Sequence, residues 1–122
     1  MTPQQITKCA LALPEVTEEQ PFAPGVPVFK VRGKVFAILH SEDDVPRVTL
    51  KCEPSLALEL RAQFPAVTAG YHVNKKHWNT VVLDGSVPDD EVLDMVEHAY
   101  ERVVEGMPKA VRQRLTMLRT GS

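Results

Sequence analysis

Two hydrophobic periods alternate along the chain, and their order predicts its elements. Thr2-Pro3-Gln4-Gln5 carries the marks of a helix start, with Thr2 as cap, Pro3 in the first turn and Gln5 reaching back. Ile6, Cys9, Ala10 and Leu13 then recur at helical spacing until Pro14, which makes Cys9 a small core residue. Glu15 to Gln20 permits an edge strand, and the prolines and glycine of residues 21–25 predict a loop. Val26 to Arg32 and Lys34 to His40 are two β-rich runs about Gly33, a hairpin with Arg32 and Lys34 flanking its tip. The first alternates Phe29 and Val31 with Lys30 and Arg32; the second is apolar almost throughout, as in a central strand. Ser41 to Pro46, with Glu42, Asp43 and Asp44, reads as a solvated loop, and residues 47–51 alternate as a strand with Val48 and Leu50 inward.

Glu53-Pro54-Ser55 opens a second helix with Leu56, Leu60 and Phe64 on one side and Pro65 at its end. Tyr71 to Leu83 is polar and basic in its first half, where Asn74 suits a turn, and aromatic and β-branched from Trp78, a strand running into Asp84-Gly85. Trp78 reads as a core anchor. Pro88 to Glu105 predicts a third helix, with three acids in its first turn and Val92, Val96, Ala99 and Val103 inward. A last helix runs from Pro108 with Val111, Leu115 and Leu118 inward. Strands that cluster without βαβ alternation predict an α+β fold, an antiparallel β-sheet with helices packed mainly on one face. The whole forms one domain over residues 1–119, with residues 120–122 as a tail.

Composition narrows the function classes. The 122 residues are 43% hydrophobic and 25% charged, enough for one core, and the net charge of −2 predicts no bulk attraction to nucleic acid or anionic membrane. Cys9 and Cys52 form neither a CxxC pair nor a disulfide framework, and no apolar run is long enough for a membrane span or a signal peptide, so the expected location is cytoplasmic. Charge is unevenly distributed, however. Eight of the sixteen acids lie between Asp84 and Glu105, with one arginine among them, whereas residues 106–122 carry four cations and no acid.

Phosphate binding requires lysines and arginines gathered on one surface. The candidates are Lys30, Arg32, Lys34, Arg47, Lys51, His72, Asn74, Lys75, Lys76 and His77. If the predicted strands share a sheet, Lys30, Arg32, Arg47 and Lys51 fall on its exposed face. The competing reading is that these cations are ordinary solvated surface. His72 and His77 are five apart, which matches no zinc spacing. The acidic line Asp90, Asp94, Glu97, Glu101 and Glu105 is either a wet helix face or a weak site for hard cations. Phosphate loops, nucleophile elbows and paired Cys–His motifs do not occur, so no metal, cofactor or catalysis is expected.

Four stretches together resemble one family: Val28 to Ala37, Leu50 to Pro54, Gly70-Tyr71-His72-Val73-Asn74-Lys75-Lys76-His77-Trp78, and Pro108-Lys109. They are similar, in order and from about Ile6 to Leu118, to the MmcQ/YjbR-like proteins. That resemblance implies an α+β fold comparable with frataxin-like and secretion-chaperone-like domains, and DNA binding through a double wing of hairpins. Two positions depart from it: Ala23 where a glycine follows Pro21-Phe22, and Ala99 where a serine is common before Tyr100. The expected role for Arg32, Lys34, Lys75 and Lys76 is phosphate contact, with Asn74 and His72 supplying selectivity. The alternative is a non-catalytic protein-interaction or regulatory domain that binds no nucleic acid.

Overall fold

The computed structural model describes residues 1–70 and 73–121; the expectations attached to Tyr71, His72 and Ser122 lie outside the described residues. Helix α1 (Pro3–Leu11) begins as its sequence predicts: Gln5 N donates to Thr2 Oγ1 at 3.2 Å and Thr2 N to Gln5 Oε1 at 2.8 Å. Ile6, Ala10 and Leu13 are buried. Cys9 is only half-buried, because it flanks the stripe centred on Ile6 and Ala10 and does not sit within it.

Strands β1 (Val16–Glu19), β2 (Val28–Val31), β3 (Lys34–Glu42) and β4 (Val45–Lys51) follow, then α2 (Pro54–Gln63), β5 (Val67–Ala69) and β6 (Trp78–Val82). Helices α3 (Asp89–Glu105) and α4 (Lys109–Thr120) complete the chain, α4 ending at left-handed Gly121, one residue later than expected. The six strands make one antiparallel sheet in the order β1-β2-β3-β4-β6-β5. Phe29, Ala37, Leu39, Val48, Leu50, Val67 and Val81 form the core under the helices.

Two features of the sheet depart from the sequence reading. The loop expected over residues 41–46 is a two-residue turn, with Asp43 and Asp44 at φ 53° and 63°. Two positive φ values give a type I′ turn, whose twist matches that of the flanking strands, and aspartate tolerates them better than most residues. Pro46 stays in β4 beside β6, where Leu83 N donates to its carbonyl at 2.9 Å just past the end of that strand. The apolar run of β3 also has a different cause from burial on both faces. Phe29 pairs with Ala37 and Lys30 with Val35, so Phe36 is the extra residue of a β-bulge. The bulge lets the adjacent Phe36 and Ala37 both bury, while Val35 and Ile38 stay half-exposed. Phe36 meets Tyr100 of α3 edge to face, with ring centroids 5.7 Å apart.

On the opposite face, His40 Nε2 lies 2.8 Å from Thr49 Oγ1, which is 2.8 Å from Thr80 Oγ1. The threonines are buried by their larger neighbours, and burial, aided by nearby Arg47, holds His40 below the usual histidine range.

Candidate nucleic-acid interface

The register sorts the candidate cations by which end of the sheet they occupy. β2 ends at Val31, β3 begins at Lys34, β4 ends at Lys51 and β6 begins at Trp78, so all four strands share this end. It carries Arg32, Lys34, Lys51 and the segment 73–77 with Asn74, Lys75 and Lys76. The opposite end carries Glu42, Asp43 and Asp44 in the β3–β4 turn, Asp84 after β6 and Glu19 closing β1. A chain of net charge −2 is thus polarised along its strands.

Each projection at the basic end is held by local chemistry. Arg32 and Gly33, at φ 49° and 81°, form a second type I′ turn between β2 and β3. Arg32 Nη1 donates to Glu15 Oε1 at 3.3 Å, and Glu15 also accepts from Arg114 Nε at 2.9 Å. The Arg114 contact, with Arg32 helping, holds the Glu15 carboxyl below its usual range. Lys51 lies over the Trp78 ring at 5.4 Å, and Trp78 is half-buried on the open face instead of anchoring the core.

The segment 73–77 is a turn stapled from below. Lys76 N donates to Asn74 Oδ1 at 3.0 Å and His77 N to Asn74 O at 3.1 Å; the His77 carbonyl accepts from Cys52 N at 2.8 Å. Asn74 therefore acts first as a turn former, its carboxamide oxygen committed to its own backbone. Arg61 of α2 donates to Asn79 Oδ1 at 2.7 Å, to the Trp78 carbonyl at 3.2 Å and to the Lys75 carbonyl. Asn79 Nδ2 donates onward to Ala57 O at 3.3 Å, which ties α2 to β6. Gly70 is required by close approach: a Cβ there would lie 2.5 Å from Val73 Cγ2 and 2.8 Å from Trp78 Cβ. Sequence reading missed Arg61 as a positioning residue, since its partners are carbonyls that no pattern marks.

Several expectations are corrected. Arg47 shares the open face but lies towards the acidic end, paired with Glu42 at 3.4 Å. Lys30 shares that face and is paired with Glu19 at 2.9 Å. Arg32 is in the turn and not on the face. Two of the α4 cations are paired with acids elsewhere: Arg114 reaches Glu15 at 2.9 Å, and Arg119 reaches Glu97 at 3.4 Å and Glu101 at 3.5 Å and lies over Tyr100. Two carboxylates of the acidic line are thereby occupied. Lys34, Lys75 and Lys76 are exposed and join no ion pair among the described residues. His77 is half-buried beside them.

Cys52 behind the segment is buried, and desolvation with the neighbouring Glu53 charge pushes its thiol up to about 11. At pH 8 its thiolate population should be roughly a hundredfold below that of an unperturbed thiol. Timed labelling with iodoacetamide, read by mass spectrometry, should show Cys9 modified first; equal rates at both cysteines would refute this.

A six-stranded antiparallel sheet with its helices over one face, and two turns projecting from one end, defines an α+β domain of a particular class. The family model for YjbR matches residues 11–102, and the chain belongs to the YjbR family. It is 39% identical over 89 residues to the uncharacterized protein YjbR of Escherichia coli K12, covering 73% of this chain and 75% of that one. To the uncharacterized protein YbdF of Escherichia coli O157:H7 it is 33% identical over 108 residues, 88% of each chain. The crystal structure of Deinococcus radiodurans protein DR2400, with a DUF419 domain, superposes with a TM-score of 0.86 at 35% identity, covering 94% of this chain and 88% of that one. A Pseudomonas syringae protein superposes with a TM-score of 0.73 at 28% identity, covering 84% and 98%. Both projecting turns lie within the matched residues, and α4 lies outside them. No helix among the described residues is long and apolar enough to cross a membrane.

Proposed function

We propose that this chain is a non-catalytic DNA-binding protein that grips phosphates weakly with the basic end of its sheet. The observation that carries this reading is the convergence of Lys34, Lys75 and Lys76, exposed and without ion pairs among the described residues, at the end remote from Glu42, Asp43 and Asp44. Lysines that are already paired must lose a carboxylate before taking a phosphate; these three need not. Lys51, over Trp78, and Arg32, on Glu15, flank them. The acidic far end repels the polyanion, which orients the encounter.

The test is fluorescence anisotropy of labelled duplex and single-stranded DNA across a salt series. Log affinity for duplex should fall with log salt at a slope of about −0.9 per phosphate contact. Lys75→Glu/Lys76→Glu should flatten the slope by roughly 2 units and weaken binding at least tenfold at low salt. Arg47→Glu, which changes a charge near the acidic end, should change it little. Absence of binding at low salt, or a double variant that binds like the parent, would refute the reading. Lysate capture that survives nuclease would instead favour a protein-interaction domain.

A further inference from the structure

Helix α2 packs on β5 and β6 while α3 packs on β3 and β4, and the two leave a cleft between them with the sheet as its floor. It encloses a cavity of about 260 Å³. Leu50 and Val81 form the floor, Leu56 and Leu60 line the α2 side, and Met95 lines the α3 side. The polar groups beneath are mostly satisfied: Asn79 is bonded to Arg61 and Ala57, and His98 Nε2 accepts from Glu53 N at 3.1 Å. That bond needs an unprotonated Nε2, so His98 brings no positive charge when so bonded. Lys51 borders the cavity, but its ammonium lies over Trp78.

Two carboxylates stand at the mouth. Glu91 and Asp94, one helical turn apart on α3, both line the cavity and both reach solvent. Neither joins an ion pair among the described residues, whereas Glu97, Glu101 and Glu105 on the same helix all do. An apolar interior beneath two carboxylates that join no ion pair among the described residues is complementary to an apolar body bearing one positive group. The volume lies just below the range of drug-sized pockets, which limits the ligand to a fragment of that kind. The methionine wall adds a surface that adapts to ligand shape.

The geometry points to a small-molecule site, separate from the basic end of the sheet, that takes a hydrophobic primary amine. The hydrocarbon enters between α2 and α3, and the ammonium stays at the mouth between Glu91 and Asp94. Leu56 lines the cavity and is half-buried, so a larger side chain there would reach into the space the hydrocarbon takes.

The probes are 2-phenylethylamine and n-hexylamine, with n-hexanol and hexanoate as neutral and anionic controls, followed by amide chemical shifts on the whole chain. Both amines should perturb Leu50, Val81 and Met95 saturably, and more tightly than hexanol, with hexanoate weakest. Glu91→Gln/Asp94→Asn should weaken the amines about tenfold and leave hexanol unchanged, since only a Coulomb attraction is removed. Leu56→Trp, placed at the mouth and not in the deep core, should abolish binding of all the ligands. Hexanoate binding as tightly as the amines, no saturable shift at millimolar amine, or amine binding unaffected by either variant would overturn the assignment.

Discussion

Arg61→Ala should destabilise the fold by about 2–3 kcal/mol and loosen the segment that carries Lys75 and Lys76. One guanidinium bridges the Asn79 side chain, the Trp78 carbonyl and the Lys75 carbonyl, so its removal takes a donor from two part-buried acceptors and frees the exposed Lys75 carbonyl to water. Asn79 is 3% exposed, and its oxygen would have no water to replace the lost donor. Lysine should not restore the contact, because a single ammonium lacks the planar fork that spans separated acceptors. Denaturant unfolding of Arg61→Ala, Asn79→Ala and the double variant should give a coupling energy of at least about 1 kcal/mol between the two sites. Additive effects would mean that the side chains are neighbours without being partners. Amide exchange should accelerate for residues 74–78 and not for β2 or β3. If the proposed DNA contact is correct, Arg61→Ala also weakens it with both lysines intact, by loosening the turn that presents them.

Phe36→Ala should cost about 3–5 kcal/mol, the larger of the two effects on stability. Phe36 is fully buried and packs edge to face on Tyr100, whose hydroxyl donates to the Pro14 carbonyl at 2.9 Å. Truncation leaves a cavity at the meeting point of β3, α3 and the α1–β1 connection, and α3 cannot follow without breaking that hydrogen bond. For a domain this size the melting temperature should drop by roughly 10–20 °C, and the urea dependence should keep its slope. Phe36→Leu should lose far less, since it retains most of the buried area. A loss below about 1 kcal/mol for alanine would show that the bulge relaxes freely around a smaller side chain.

Phe36 also shows where sequence reading stops. Periodicity placed β3 correctly as a central strand, because an apolar run bounded by turn residues has few other interpretations. It did not detect the bulge, because a bulge is a mismatch between two strands and is invisible in either one. The Asp43-Asp44 turn was hidden for a related reason. Asp-Asp beside Pro46 resembles a solvated loop until strands long enough to reach residues 42 and 45 force left-handed geometry on it.

Local chemistry settled much of this protein in advance. The capping box on Thr2, the acids opening α3 and the hairpin about Gly33 depend on residues within a few positions of each other, and each is present; in β4 Val48 and Leu50 are buried as expected, but Thr49 between them is buried too. The α+β class followed from their order, and the resemblance carried by residues 28–37, 50–54 and 70–78 led to the YjbR family. Which cations lie at the same end of the sheet was decided only by the folded chain. Lys30 and Arg47 alternate outward as their strands require, but register delivers them to Glu19 and Glu42. Arg119 of the basic helix α4 was brought onto Glu97 and Glu101 of α3, and Arg114 onto Glu15, pairings between groups of charge that look segregated in sequence. Lys34, Lys51, Lys75 and Lys76 came together because antiparallel strands return to the same end of a sheet. Arg61 fixed their loop from a helix whose sequence concerns only its own buried side. Helix and strand signals are carried by near neighbours; ion pairs, turns under strain and clefts between helices arise from residues far apart in the chain.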